Sequence, residues 1–153
     1  MRIVKKEDIK EPFVAPLGEI IFEMIGRPEK IGGTKNHSLV HVTLPQGKMS
    51  PRHYHKVTEE TYYILSGTAT LTINDESFKV EPNMAITIMP NEFHQIVNDG
   101  KTSLEFLTIS GPAWTPDDEY LVWVKFENCT NFHINGCFKL KFHLKIVKNA
   151  KKL

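Results

Sequence analysis

Apolar and polar residues alternate along most of this sequence in short stretches, and this pattern restricts its fold more than any other feature. The run YYILSGTATLTI, which begins at Tyr62, is one example. A period of two residues is typical of half-buried β-strands, whereas an amphipathic helix repeats every 3.6 residues. The pattern predicts strands at residues 19–25, 38–44, 52–56, 61–65, 68–73, 78–80, 85–89, 94–97 and 103–108. We therefore expect an all-β fold, and many short strands at regular spacing favour a sandwich or a barrel.

Turn-forming residues separate the predicted strands. Ser66-Gly67 and Asn74-Asp75-Glu76 each lie between two strand-like segments. Both predict hairpins that connect adjacent antiparallel strands. Longer loops are expected at residues 26–33 and 111–118, where glycine and proline are concentrated.

Size and charge limit the class of protein. A chain of 153 residues fits one domain with a single core, and we assign residues 1–125 to it. The net charge of +1 and the pI of about 7.8 provide no overall field that would attract nucleic acid or an anionic membrane. The N-terminal segment lacks the apolar run of a signal peptide, and no stretch is apolar enough for a membrane helix. We therefore expect a cytoplasmic protein without a nucleic-acid or membrane partner.

The last part of the sequence, residues 126–153, has a different character. Phenylalanine, leucine and isoleucine alternate strictly with lysine and histidine in FKLKFHLKIVK. This alternation predicts an edge β-hairpin whose lysines protect a free edge. The alternative is a strand exchanged between the subunits of a homodimer, and a homodimer is the assembly that we expect.

Four residues with metal-binding side chains are spaced so that they can meet. His53 and His55 are two residues apart, so on a strand they share one face with Cα atoms about 6.6 Å apart. Glu60 opens the next predicted strand, and His94 follows a later turn. Three neutral imidazoles and one carboxylate suit one divalent transition metal: Mn, Fe, Co, Ni or Zn. A six-coordinate ion would keep two positions for water or substrate, as catalytic metal sites do.

The spacing of these residues resembles the first of the two sequence motifs of the cupin superfamily. Every fixed position of that motif is matched by Gly47-x5-His53-x-His55-x4-Glu60-x6-Gly67. The resemblance implies that the two histidines and Glu60 are metal ligands. Glu59 is the alternative carboxylate, but seven residues separate it from Gly67 where the family has six.

The second cupin motif is matched with changes. The family has Gly-x5-Pro-x-Gly-x2-His-x3-Asn, and this chain keeps the last two fixed residues as His94 and Asn98. Asn83 and Asn91 replace the two glycines, and Met89 replaces the proline. Asparagine is the residue that best tolerates a positive φ after glycine. We therefore expect the two asparagines to preserve the turns and His94 to remain a ligand.

The resemblance also implies the architecture: a small single-domain cupin, a conical jelly-roll barrel or double-stranded β-helix, with the metal inside and an open mouth. Strand alternation then extends the inner face from the ligands to Tyr62 and to the pocket residues Ile64, Ile96 and Asn98. Tyr62 is the best available catalytic general acid. His41 is a further pocket candidate, and its position leaves open whether it faces the cavity or solvent.

The function that these residues imply is that of a metal-dependent enzyme acting on a small molecule. Related small cupins include dioxygenases, isomerases and lyases, and the substrate would be a sugar or a small organic acid. The alternative is a cupin that binds a small molecule without converting it. No residue in the sequence decides among these reactions.

Overall fold

The computed structural model describes residues 3–122 of the chain. The expected C-terminal hairpin at residues 126–153 lies outside the described residues. Within them the fold is all-β, and no helix is long and apolar enough to cross a membrane. The three helical segments are single 3-10 turns, at Lys6–Asp8, Glu29–Ile31 and Pro116–Asp118.

Two antiparallel sheets face each other and form the barrel. In chain order the strands are β1 (Phe13–Val14), β2 (Ile20–Ile25), β3 (Ser38–Leu44), β4 (His53–Tyr54), β5 (Glu59–Ser66), β6 (Ala69–Ile73), β7 (Glu76–Val80), β8 (Ala85–Ile88), β9 (His94–Val97), β10 (Leu104–Gly111) and β11 (Tyr120–Leu121). One sheet has the order β1-β2-β3-β10-β5-β8, and the other has the order β11-β4-β9-β6-β7. The predicted all-β jelly roll is confirmed.

The predicted strands correspond to nine of these eleven, and β3 and β9 have the predicted bounds. The two strands that were not predicted, β1 and β11, are two residues long each. A strand of two residues is too short to show alternation in the sequence. Whether it forms depends on the strand that it pairs with.

One predicted hairpin is wrong and the other is confirmed. Asn74-Asp75 joins β6 to β7, which pair along their whole length. The turn at Gly67 instead carries the chain from one sheet to the other, because β5 pairs with β10 and β8 while β6 pairs with β7 and β9. Gly67 has a φ of +82°, and a Cβ there would lie 2.6 Å from the carbonyl oxygen of Ser103. The glycine is needed for this close backbone crossing rather than for a hairpin.

The apolar core fills the barrel on one side of the inner surface. Leu44, Ile64, Leu71, Ile96 and Leu104 are fully buried between the two sheets. The Asn98 side chain is buried with them and is fully used: its amide donates to the carbonyls of Leu44 and Thr102, and its oxygen accepts from the N–H of Gly100. These bonds hold the connection between β9 and β10 against β3.

The two asparagines that replace glycine have the backbone conformation that we expected. Asn83 has a φ of 71° and Asn91 a φ of 70°. The N–H of Asn91 donates to the carbonyl of His55 at 2.6 Å, which joins the turn before β9 to the end of β4. The altered motif therefore still closes the loop that leads to His94.

Replacing Asn91 with alanine should lower the free energy of unfolding by about 1 kcal/mol, because alanine is strained at positive φ. Asn91→Gly should not lower it. Urea unfolding followed by circular dichroism measures both. Asn36, which is exposed and lacks a positive φ, provides the matched control, and Asn36→Ala should have little effect. Equal losses from Asn91→Ala and Asn36→Ala would show that the turn needs no special conformation.

Candidate metal centre

The pairing of β4 with β9 brings three imidazoles together. His53 is the direct partner of His94 across these strands, and their ring centroids are 4.1 Å apart. The ring of His55 lies 5.2 Å from that of His53 and 5.8 Å from that of His94. All three histidines are buried. The expectation that His53 and His55 share an inward face agrees with this arrangement.

Glu60 approaches the imidazoles from the other sheet. It lies on β5, where its direct partner on β10 is Ser110. The hydroxyl of Ser110 donates to Oε1 of Glu60 at 3.1 Å, which orients the carboxylate. The carboxylate oxygens lie 3.6 Å from Nε2 of His55 and 3.3 Å from Nε2 of His94. Glu59, the alternative ligand, is exposed.

Each imidazole is oriented by a hydrogen bond from its outer nitrogen to a backbone carbonyl. Nδ1 of His53 lies 2.9 Å from the oxygen of Pro51, Nδ1 of His55 lies 2.8 Å from that of Asp118, and Nδ1 of His94 lies 3.0 Å from that of Glu92. A carbonyl can only accept, so Nδ1 must carry the hydrogen in all three rings. The lone pair of each neutral imidazole is then on Nε2, and metal-binding histidines are commonly oriented in this way.

One ligand atom from each of the four residues lies within 4.8 Å of the other three. Two ligands at about 2.1 Å on opposite sides of one ion would be about 4.2 Å apart. Three of the buried atoms, Nε2 of His55, Nε2 of His94 and Oε2 of Glu60, have no hydrogen-bond partner. A buried polar atom without a partner typically costs about 1–3 kcal/mol. The donor set and its unpartnered atoms therefore fit a divalent transition metal.

The electrostatics of the metal-free cluster act in different directions on its members. Burial alone would lower the pKa of His55, but the neighbouring Glu60 carboxylate outweighs burial and raises that pKa, so metal binding would compete with a proton at this ring. Burial, reinforced by the neighbouring His94, lowers the pKa of His53 to about 3, so this imidazole is neutral at neutral pH. Burial alone would raise the pKa of Glu60, but in the metal-free protein the imidazoles of His55 and His94 in their protonated forms outweigh burial and hold that pKa well below its usual range. Glu60 is therefore ionised, as a metal ligand must be.

Asp118 holds the connection between β4 and β5 in place, a role that no sequence pattern predicted. Its carboxylate accepts hydrogen bonds from the backbone N–H groups of Lys56, Val57 and Thr58 and from the hydroxyl of Thr58, at 2.8–3.2 Å. Its carbonyl accepts from His55. One residue therefore fixes both the loop and the orientation of a ligand ring.

Comparison with known proteins identifies the family. The family model of the cupin domain matches residues 40–110, which include all four residues of the cluster. The uncharacterized protein MJ1618 of Methanocaldococcus jannaschii is 35% identical over 119 residues, which cover 77% of this chain and 94% of that protein. The chain belongs to the cupin superfamily.

Other similar proteins include a much longer enzyme and a solved structure of similar length. The mannose-1-phosphate guanylyltransferase RfbM of Salmonella typhimurium is 27% identical over 101 residues, which cover 66% of this cupin but 21% of that enzyme. This cupin therefore spans about a fifth of that relative's length. Among solved structures, the Streptomyces nucleoside dehydratase Pac13 has a TM-score of 0.65 at 22% identity, covering 80% of this chain and 91% of that one. This likeness shows the shared double-stranded β-helix.

Tyr62 lies beside the cluster of this cupin, on the inward face of β5. It is 4% exposed, and its ring packs edge-on against His94 and tilted against Phe106, at centroid distances of 6.0 and 5.0 Å. Burial, followed by the negative charge of Glu60, raises the pKa of the phenol well above its ordinary value. The phenol therefore stays protonated and can donate a hydrogen bond.

The structure does not bring the four predicted pocket residues to one wall. Ile64, Ile96 and Asn98 have no exposed surface and belong to the core and to the β9–β10 connection. His41 lies on the outward face of β3, where it contacts Phe22 and the charged groups of Lys6 and Glu105. The open question about His41 is thus answered in favour of the outer surface.

Two carboxyl groups that the sequence did not single out act on the cluster instead. Burial raises the pKa of Glu19 to about 7, and the negative charges of Glu119 and Glu60 add to this effect. Burial also raises the pKa of Glu119, against the lowering effect of the His55 imidazole. Neither glutamate belongs to the metal-binding motif spacing, so the sequence contains no local signal for them.

Asp118→Ala should lower the affinity of this cupin for a divalent metal by about tenfold, because the His55 ring and its loop lose their support. The free energy of unfolding should fall by about 2 kcal/mol, since the hydrogen bonds to the Asp118 carboxylate are lost. Metal titration with a competing chelator and urea unfolding measure the two effects. Asp117→Ala, at the exposed neighbouring position, should change neither. Unchanged metal affinity in Asp118→Ala would show that Asp118 does not support the ligands.

Glu19→Gln should stabilise the metal-free protein at pH 8 by at most about 3 kcal/mol. The pKa of Glu19 is raised from 4.5 to about 7 on folding, so ionisation penalises the folded state increasingly as the pH rises through that range. The gain should therefore shrink as the pH falls from 8 to 5. Urea unfolding at several pH values measures it, with exposed Glu76→Gln as the control. A gain that does not depend on pH would mean that the charge of Glu19 is not the cause.

Proposed function

We propose that this cupin is a metal-dependent enzyme that acts on a small molecule. The observation that carries the proposal is the convergence of three imidazole lone pairs and the Glu60 carboxylate on one point, with three of these buried atoms lacking any other partner. Four protein ligands leave coordination positions open on a six-coordinate ion, and open positions are typical of catalytic sites.

The residues that would hold the ion are His53, His55, Glu60 and His94. Their nitrogen and oxygen donors suit one divalent ion of Mn, Fe, Co, Ni or Zn. When bound, such an ion would supply Lewis acidity toward an oxygen atom of the substrate. Ser110 and the three backbone carbonyls would keep the ligands in one orientation, so that little reorganisation accompanies binding.

The surroundings of the cluster favour reactions in which negative charge develops on a substrate oxygen. Tyr62 would donate a hydrogen bond to that oxygen, since its phenol is protonated and adjacent to the cluster. Isomerases and lyases need such charge-stabilising donors. Of the reactions that small cupins catalyse, we therefore propose isomerisation or lysis over dioxygenation.

Two of the similar proteins are named for molecules that contain a sugar. RfbM is named for a sugar phosphate, mannose-1-phosphate, and Pac13 is named as a nucleoside dehydratase. We propose that this chain likewise acts on a sugar or on a molecule that contains one.

The first test of the proposal is the metal content of the purified protein. Elemental analysis should find close to one equivalent of a first-row transition metal, and His94→Ala should contain much less. His37 is exposed and provides the control, so His37→Ala should keep the wild-type content. Wild-type protein that contains no metal and cannot be reloaded would refute the proposal.

Turnover separates an enzyme from a binding protein. Metal-loaded wild-type protein is incubated with a mixture of sugars, sugar phosphates and nucleosides, and consumption is followed by mass spectrometry. Consumption of a compound by the wild type and not by His94→Ala would support the enzyme. Retention of a compound without consumption would support the alternative, a cupin that binds a small molecule without converting it.

A further inference from the structure

Two glutamates beside the metal cluster have no role in the coordination proposed above. Glu19 directly precedes β2 in the first sheet, and Glu119 directly precedes β11, an edge strand of the second. Both are partly buried. A backbone hydrogen bond from Met49 to Leu17 joins the segment before β2 to the segment before β4, and β11 pairs with β4. Both glutamates therefore lie in segments that neighbour β4.

The strand registers place both glutamates on the inward face. Ile21, two residues after Glu19, is the partner of the core residue Val42. Leu121, two residues after Glu119, is the partner of His53. Side chains two residues apart on a strand share a face. Glu19 therefore lies on the same face as the core, and Glu119 on the same face as the histidine ligands.

The charges around this pair are mostly negative. The charged groups that act on Glu19 are Glu119 and Glu60, and those that act on Glu119 are Glu60 and the imidazoles of His55 and His94. Within residues 3–122, neither glutamate forms an ion pair with a lysine or an arginine. The fold thus holds two carboxyl groups in an acidic environment without a compensating cation.

Trp114 provides Glu119 with a side-chain hydrogen bond, but in the part of the chain that the structure describes neither glutamate has a lysine or arginine partner. Buried carboxyl groups that a fold keeps at such a cost are typical of functional sites. A second observation points to a ligand at the same place: Nε2 of His55, Nε2 of His94 and Oε2 of Glu60 are buried, unpartnered and directed toward the interior. The acidic pair therefore borders a site that is built to receive something, and it does not stand alone on a surface.

We propose that Glu19 and Glu119 determine substrate specificity: they accept hydrogen bonds from a neutral, hydroxyl-bearing group held beside the metal, and they exclude carboxylates from it. The inference rests on the proposed function, because it assumes that a metal occupies the cluster. It goes further by selecting the neutral sugar moiety over the small organic acid.

Charge explains the selection. Burial raises the pKa of Glu19 and of Glu119 in the metal-free protein, and the positive charge of a bound divalent ion would favour their ionised forms. With Glu60, Glu19 and Glu119 ionised, the site and its ion have a net charge of −1, so a carboxylate would enter against repulsion. A hydroxyl group carries no charge and donates a hydrogen, which a carboxylate accepts more strongly than a neutral acceptor does. Vicinal hydroxyls of a sugar could therefore meet both glutamates while an oxygen remains directed at the metal.

The test compares a dicarboxylate with a neutral sugar as probes of the cobalt-loaded protein. Oxalate and D-mannose are titrated separately, and binding is followed by the visible absorption of the Co²⁺ ion. In the double variant Glu19→Gln/Glu119→Gln, oxalate should bind about tenfold more tightly than to the wild type. Mannose should bind about tenfold more weakly, because the charged acceptors are lost. Glutamine preserves the shape of each side chain, and the two single variants provide the measurement should the double variant fold poorly.

The cobalt content of each variant is measured first and separates two kinds of failure. Wild-type protein that takes up no cobalt would overturn both the proposed function and this inference. One equivalent of cobalt in every variant, together with oxalate and mannose affinities that equal those of the wild type, would overturn this inference alone. Glu76→Gln, on the exposed strand β7, should bind both probes as the wild type does.

Discussion

Three hydrogen bonds from imidazole rings to backbone carbonyls are the interactions on which the site depends. They fix the tautomer of each histidine and direct all three lone pairs to one point. The carbonyls belong to Pro51, Asp118 and Glu92, each in a connection rather than in a strand. The sheets therefore supply the positions of the ligands, while the turns supply their orientation. A substitution that distorts any of these connections would therefore misorient a ligand without disturbing the apolar core.

The interior of the barrel has two chemically different parts. The core residues, such as Ile64 and Leu71, interlock with no exposed surface, whereas the residues around Glu60 are polar and partly unpartnered. Burial of apolar side chains stabilises the fold by roughly 25 cal/mol per Å², and it offsets the cost of the polar cluster. Stability and function are thus assigned to different parts of one inner surface, so core substitutions and site substitutions should have separable effects.

The sequence was sufficient for the features that depend on local spacing. The alternation predicted most strands, and the spacing of His53, His55, Glu60 and His94 predicted a cluster that the fold assembles. The sequence was insufficient for features that depend on which strands pair in the sheets. The turn at Gly67 has the composition of a hairpin, but it joins two sheets, because β5 and β6 find different partners. Inward alternation also selected Ile64 and Ile96, since alternation gives the face of a residue and not its depth in the barrel. Glu19, Glu119 and Asp118 were missed because their positions depend on contacts with residues far away in the chain.

The hydrogen bonds of Asp118 also bear on the order in which the chain can become functional. The residues of the loop between β4 and β5, and His55 itself, precede Asp118 by some 60 positions. All four candidate ligands are therefore synthesised before Asp118, the residue whose carbonyl orients His55. Until then the partial chain has the donors of the site without its geometry. Selective metal capture thus requires synthesis to have passed Asp118, after most of the barrel has been able to form.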